Sequence, residues 1–361
     1  MKIAFYAPLK PPGHAVPSGD RAVARLLMDA LTQAGHSVRL ESDLRVYLPD
    51  ASDHRGLERA EAAAVAERAR IAASWQKGQR PDLWFCYHPY YKSPDLLGPE
   101  LCRQFDLPWA SAEASLSRRR SNGIWGTTQA MVRSSVRAAA VNFAMTARDQ
   151  AGILENEPSA RIMRLRPFLD INREQSTATR TGPMVTVAMM RDGDKMRSYT
   201  ALAAALSLLP ERIDWRLAVA GDGPQAEQVR KMFPSGRVDW LGQLTAEAVR
   251  QLLVRSSFFV WPGCAEAYGM AYLEAQAAGL PVVAWATAGV PEVVEHGTSG
   301  LLSKEGDLLS LARDVERLLT DDGLRNRMGR AAQLRVRDEH GIERAASVLS
   351  EGLKFARGAI H

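Results

Sequence analysis

Short runs of apolar residues alternate along this chain with longer stretches whose apolar positions recur every three or four residues. The first pattern marks strands covered on both faces, and the second marks helices with one packed side. Near the start, KIAFYA reads as a strand and residues 20–33 as a helix that ends near Gly35. SVRLES, LWFCY, PWASAEA and AAVNFAMT follow as strands, with a long Ala/Glu/Arg helix over 56–78 between the first two. The rhythm stops at LRPFLDINREQSTATRTGP, a polar stretch rich in Thr and Arg that contains Pro167 and Pro183. Such composition predicts a linker. The alternation then resumes with strands MVTVAMM, WRLAVAG, RVDWLG, SFFVWPG and LPVVAW. Helical periodicity covers 198–209, 224–232, 245–256 and 269–278, and runs from Asp307 onward.

Strands that alternate with helices predict parallel sheets with helices on both faces. The expected fold is α/β, with two Rossmann-like doubly wound domains facing a cleft. An N-terminal domain is expected over 1–168, a linker over 169–183 and a second domain over 184–340. A C-terminal helix over 341–361 is expected to pack back on the first domain.

Composition narrows the class only a little. With 361 residues, 46% of them hydrophobic, two full cores can form, and no low-complexity tract suggests disorder. No apolar run approaches the ~20 residues that cross a bilayer. The chain runs directly into a strand, so no leader is expected and the expected location is cytoplasmic. Cys86, Cys102 and Cys264 are scattered, which suggests neither a disulfide framework nor a zinc site. A net charge of +5 suits anionic partners such as nucleotides or anionic membranes, and equally suits a merely solvated surface.

The chemistry concentrates in the second half. GDGP, with Gly221 and Gly223, follows a strand and reads either as a tight turn or as a place where backbone approaches a ligand. Arg191, Lys195 and Arg197 cluster just past another strand, where cations can neutralise a diphosphate or simply face water. WPGCAEAYGMAYLEAQAAGLPVVAW holds two acids, Glu266 and Glu274, around a helix start at Gly269. The amides of Gly269, Met270 and Ala271 would face an anion there. One acid then lies ahead of the phosphates and one behind. Carboxylates bind vicinal hydroxyls well, so this order suits a nucleotide sugar.

These residues resemble the paired-glutamate motif, Glu-x7-Glu, of retaining glycosyltransferases of family 4 with the GT-B fold. The basic cluster, GDGP, VDWLGQL, the glutamate segment, AAGLPVVA and AGVPEVVEHGTSGLL follow in the family's order. The resemblance is strong over the second domain and weak over the first. It implies a metal-independent transferase with no cofactor, using a nucleotide diphosphate sugar, with UDP expected before GDP. By that resemblance Glu274 binds the ribose, Glu266 the donor sugar, and Arg191 and Lys195 the diphosphate. The family spaces its Arg and Lys one residue wider, which leaves Arg197 as an alternative to Lys195. A sugar-nucleotide epimerase or a non-catalytic sugar-nucleotide-binding protein is the competing expectation.

In the first half, Gly19 ends a loop that resembles the family's glycine-bearing loop near donor phosphate or acceptor. The chain has no G-x-G-x-x-G or P-loop pattern, which removes support for nicotinamide and ATP readings, and no nucleic-acid partner is expected. His88 lies among Tyr87, Tyr90 and Tyr91, and Glu113 stands where many family members carry a histidine. Both are candidate catalytic residues. No histidine–carboxylate spacing suggests a metal. Finally, Arg118, Arg119 and Arg120 precede Trp125, with Arg133 and Arg137 on the helix that follows. A basic cluster beside an exposed aromatic has the composition of a surface that rests on anionic lipid, and on that reading the acceptor is a membrane-borne glycan and the protein peripheral. A solvated loop with its tryptophan turned inward is the alternative.

Overall fold

The computed structural model describes residues 1–16, 18–117, 119–171 and 180–358. The chain divides into two compact units, one built from 1–166 with 342–361 and the other from 167–341.

The first unit opens with strands β1 (Lys2–Tyr6) and β2 (Ser37–Ser42), joined by helix α1 (Gly19–Gln33). Helix α2 (His54–Ser74) precedes β3 (Leu83–Tyr87), and α3 (Gly98–Phe105) leads to β4 (Trp109–Ala112). Helix α4 (Ile124–Ala138), β5 (Val141–Ala144), α5 (Ala147–Asn156) and β6 (Ile162–Arg164) complete the sheet. Its order is β2-β1-β3-β4-β5-β6, all parallel. Both faces are covered, so LWFCY is buried at all five positions rather than at alternate ones. Phe5, Phe85 and Phe143 stack across the strands at 5.8 and 6.1 Å.

One acid buried in this unit is fully used. Asp95 accepts the indole N–H groups of Trp84 and Trp109 at 2.8 and 2.9 Å with one oxygen. Its other oxygen takes the amides of Leu97 and Gly98, opening α3. A Cβ at Gly98 would lie 2.2 Å from the Trp84 indole nitrogen, so only glycine fits.

The second unit contains β7 (Met184–Val187), α6 (Asp194–Ser207), β8 (Leu217–Ala220), α7 (Ala226–Lys231), β9 (Val238–Trp240) and α8 (Ala246–Val254). It continues with β10 (Phe259–Val260), α9 (Met270–Ala277), β11 (Val282–Trp285), α10 (Val290–Val293) and β12 (Gly300–Ser303). Helices α11 (Leu308–Thr320) and α12 (Asp322–Glu339) follow. The sheet order is β12-β11-β10-β7-β8-β9, again parallel. Helix α13 (Ile342–Gly358) then rejoins the first unit, packing on α1 and β5.

Several boundaries differ from the periodicity. The helix expected over 198–209 begins at Asp194, because Gly193 (φ 82°) turns the chain and Asp194 suits the first turn. The helix expected over 56–78 ends at Ser74 and closes in a wider turn over Trp75–Gln79, where Gly78 takes φ 96°. The strands at Ile162–Arg164 and Gly300–Ser303 had no clear pattern, since the first is a three-residue sheet edge. Most of the expected linker over 169–183 lies outside the described residues.

Candidate active site

In a doubly wound sheet, the connections leaving the first strand and its neighbour diverge to opposite faces. A crevice opens there at the carboxyl ends of the strands. In the second unit this point lies between β7 and β10. The chain after β7 enters α6, and the chain after β10 carries Glu266 and then enters α9. The Lys195 ammonium, in the first turn of α6, forms an ion pair with Glu266. Both side chains are well enclosed, at 18% and 17% exposure. Trp261, directly after β10, donates its indole N–H to the same Glu266 oxygen at 3.1 Å. Lys195 also lies over the Trp261 ring, 5.6 Å from its centroid. The three side chains therefore hold one another.

The backbone around them is equally fixed. The Cys264 amide donates to Ser198 of α6 at 2.9 Å, and the Gly289 amide donates to the Glu266 carbonyl at 3.1 Å. The Tyr272 hydroxyl donates to the Trp261 carbonyl at 3.0 Å. At Gly289 a Cβ would fall 1.4 Å from the Ala267 carbonyl oxygen, so the loop before α10 closes on the Glu266 loop only with glycine there.

Glu274 lies one turn into α9, on its open side. Desolvation by the surrounding protein lifts its carboxyl to about 7, although the residue keeps an exposed face. The exposed face matters more for binding, because a ligand hydroxyl or cation can reach the carboxylate and favour its charge. Gly269 (φ 71°) starts the helix without a side-chain cap. The amides of Met270 and Ala271 therefore lack an intrahelical acceptor and can meet an anion.

The other candidates in this unit separate. Arg191 is exposed and has no partner among the described residues. Arg197 turns away from Glu266, pairing with Asp194 at 2.9 Å and Glu305 at 3.4 Å while 61% exposed. Gly221 and Gly223 have a packing reason that needs no ligand. Added Cβ atoms would lie 1.8 Å from the Ala188 carbonyl oxygen and 2.2 Å from that of Met190. The turn thus locks onto the segment after β7, with Met190 and Asp222 joined at 2.9 Å.

In the first unit the corresponding point lies between β1 and β3. His88 follows β3 and Glu113 follows β4, both in the left-handed region, at φ 57° and 59°. Such conformations in non-glycine residues cost about 1–3 kcal/mol and concentrate at functional sites. The His88 ring nitrogen Nδ1 is 3.2 Å from Asp20, in the first turn of α1. Glu113 is 6% exposed, and burial lifts its carboxyl to about 7 against the opposing charge of His88. Burial works against the His88 charge too, but Glu113, Asp20 and Asp149 outweigh it and raise the imidazole to about 9. Gly19 is the first residue of α1, exposed, with nothing within 4 Å of an added Cβ. The space beside Gly19 is open.

Trp261, Asp20 and Asp149 were not singled out in the sequence, and no local pattern marks them. For the basic segment, Arg118 lies outside the described residues. Trp125 is half-buried rather than exposed: its indole N–H donates to the Leu48 carbonyl at 2.9 Å. Arg133 and Arg137 both pair with buried Glu157, which leaves less free charge than the sequence suggested. Among the described residues no group of His, Cys, Asp and Glu could hold a metal, and no helix is long and apolar enough to cross a membrane.

Residues 174–335 match the family model described as glycosyl transferases group 1. A 157-residue stretch is 29% identical to N-acetyl-alpha-D-glucosaminyl L-malate synthase of Bacillus anthracis, covering 42% of this chain and 41% of that one. The chain thus spans less than half the length of that relative. Among solved structures, sucrose-phosphate synthase from Thermosynechococcus elongatus superposes with a TM-score of 0.77 at 20% identity, over 99% of both chains. HepE of Anabaena, in complex with UDP-glucose, gives 0.71 at 17% identity over 98% of this chain and 99% of that one. The fold is the pair of parallel-sheet Rossmann-like domains of GT-B glycosyltransferases.

Proposed function

We propose that this chain is a retaining glycosyltransferase that moves a sugar from a nucleotide diphosphate sugar, UDP-linked in the first instance, to a hydroxyl of a glycan or glycolipid. The observation that carries the reading is the Lys195–Glu266–Trp261 cluster at the diverging point of the second sheet, beside the uncapped start of α9. The match of this unit to glycosyl transferases group 1 and the UDP-glucose bound by HepE support it.

In this reading Glu274 accepts the ribose hydroxyls and the α9 amides meet the diphosphate. Glu266 accepts hydroxyls of the donor sugar. Lys195 and Arg191 supply the positive charge that the leaving group needs, with no metal required. The bond from the anomeric carbon to the diphosphate oxygen breaks, and its electron pair leaves with the diphosphate. The acceptor oxygen bonds to the same face of that carbon and gives its proton to a departing phosphate oxygen. Lys195 is already desolvated and held beside Glu266, so little reorganisation remains when the donor arrives.

Calorimetric titration with UDP, UDP-glucose and GDP-mannose tests the reading. Glu274→Ala should weaken UDP and UDP-glucose alike, by about tenfold or more, since a charge-assisted hydrogen bond contributes about 1.5–3 kcal/mol. Glu266→Ala should spare UDP and slow transfer. A wild-type protein that binds none of the three ligands refutes the proposal.

A further inference from the structure

A row of aromatic side chains leaves the His88 cluster. His88 stacks on Tyr90 with centroids 5.0 Å apart, Tyr90 meets Tyr91 at 5.3 Å, and Tyr91 meets Trp125 at 5.0 Å. All four are only partly buried. The row is rigid. Tyr90 and Ser93 pair across a tight turn, Ser93 donates to Val46, and the Tyr91 carbonyl accepts the Thr128 hydroxyl at 2.5 Å.

Two cations converge on the far end. Lys92 lies 5.9 Å from the Tyr91 centroid and 5.0 Å from that of Trp125, and Arg120 lies 5.7 and 5.9 Å from the same two rings. Neither has a carboxylate partner among the described residues. Two like charges gathered on one pair of rings repel each other, and a shared anion would turn that cost into two charge-assisted contacts. At the near end, Asp20 lies 3.2 Å from the His88 ring and the charges of Glu113 and Asp149 act on the same imidazole, a set of acceptors and a donor suited to hydroxyls.

We propose that this row is the acceptor track of the first unit, and that the acceptor is an anionic oligosaccharide. Its reacting hydroxyl end lies at His88 and Glu113, its sugar rings lie along Tyr90 and Tyr91, and its acidic group lies between Lys92 and Arg120. A pyranose has an apolar C–H face rimmed by hydroxyls, which fits half-exposed rings beside carboxylates. The inference rests on the transferase reading for the identity of the acceptor, but the binding it requires can be measured without donor.

Trigalacturonate and maltotriose serve as anionic and neutral probes in calorimetric titrations, with UDP-glucose titrated separately. Trigalacturonate should bind more tightly than maltotriose, and its affinity should fall with added salt. The double variant Lys92→Ser/Arg120→Ser should weaken trigalacturonate by about tenfold or more and leave maltotriose unchanged. Tyr91→Leu should weaken both sugars. The proposal is overturned if the two sugars bind alike or the double variant makes no difference. It is also overturned if the cations hold vesicles of phosphatidylcholine and phosphatidylglycerol while trigalacturonate does not bind. If trigalacturonate binds as expected but UDP-glucose does not, the track stands and the transferase reading falls.

Discussion

Replacing Lys195 with Met keeps the length of the side chain and removes its charge. Glu266 would keep the Trp261 indole N–H, 3.1 Å away, and lose its cation. A fully buried pair broken on one side costs about 3–5 kcal/mol. Here each partner retains about a sixth of its surface in water (18% and 17%), so the lost contact is closer to that of a charge-assisted hydrogen bond, ~2 kcal/mol. For a unit of this size that lowers the melting temperature by about 4–8 °C. Glu266→Gln should cost somewhat less, because Lys195 keeps its place over the Trp261 ring. The double variant should recover part of the loss, with a coupling energy of about 1–2 kcal/mol in a double-mutant cycle from urea unfolding. The cycle also separates stability from function: the double variant regains stability without regaining donor turnover. If the two single effects add within about 0.5 kcal/mol, the pair is not formed in solution and the argument from a preorganised site fails.

Two further predictions address the backbone and the first unit. Gly289→Ala places a Cβ 1.4 Å from the Ala267 carbonyl oxygen, so it should displace the Glu266 loop and reduce turnover more than it weakens UDP. Unchanged kcat would show that the loop contact is dispensable. Glu113 holds its proton in the folded state to about 7, against an ordinary value of 4.5, so stability falls as pH rises between these values. His88 is raised from 6.5 to about 9, and its contribution is full below 6.5 and lost as pH rises through 9. Glu113→Gln should therefore flatten the lower part of the pH–stability curve and lower the His88 titration, followed by NMR, by about one pH unit. A His88 titration that does not move refutes the coupling.

How much of this was legible depended on how far apart the contacting residues lie. Glu266, Gly269 and Glu274 share one segment, so the start of α9 and the two acids could be placed from the sequence alone. Which of Lys195 and Arg197 meets Glu266 depends on helical phase. Two residues turn a helix by about 200°, so a helix that begins at Asp194 sends Lys195 to Glu266 and Arg197 to Glu305. A helix started at 198 would not have shown that pairing. The Lys195–Glu266 contact spans 71 residues and Asp20–His88 spans 68, so only the folded sheet brings these partners together. Asp20 also lies in the first turn of α1, where an acid suits the helix dipole whatever else it does.

Strand order explains why both clusters arise where they do. In each unit the first strand's neighbours are reached by connections on opposite faces, so two loops part at its carboxyl end and leave backbone and side chains uncovered. In the second unit a cation and an acid fill that gap by pairing with each other. In the first, Asp20 pairs with a histidine whose own backbone is strained, and the charges of Glu113 and Asp149 act on the same ring. A structural role alone would not need the backbone strain at His88 and Glu113. Strained backbone of this kind concentrates at functional sites, and that strain is what makes the crevice after β3 and β4 the first unit's candidate site.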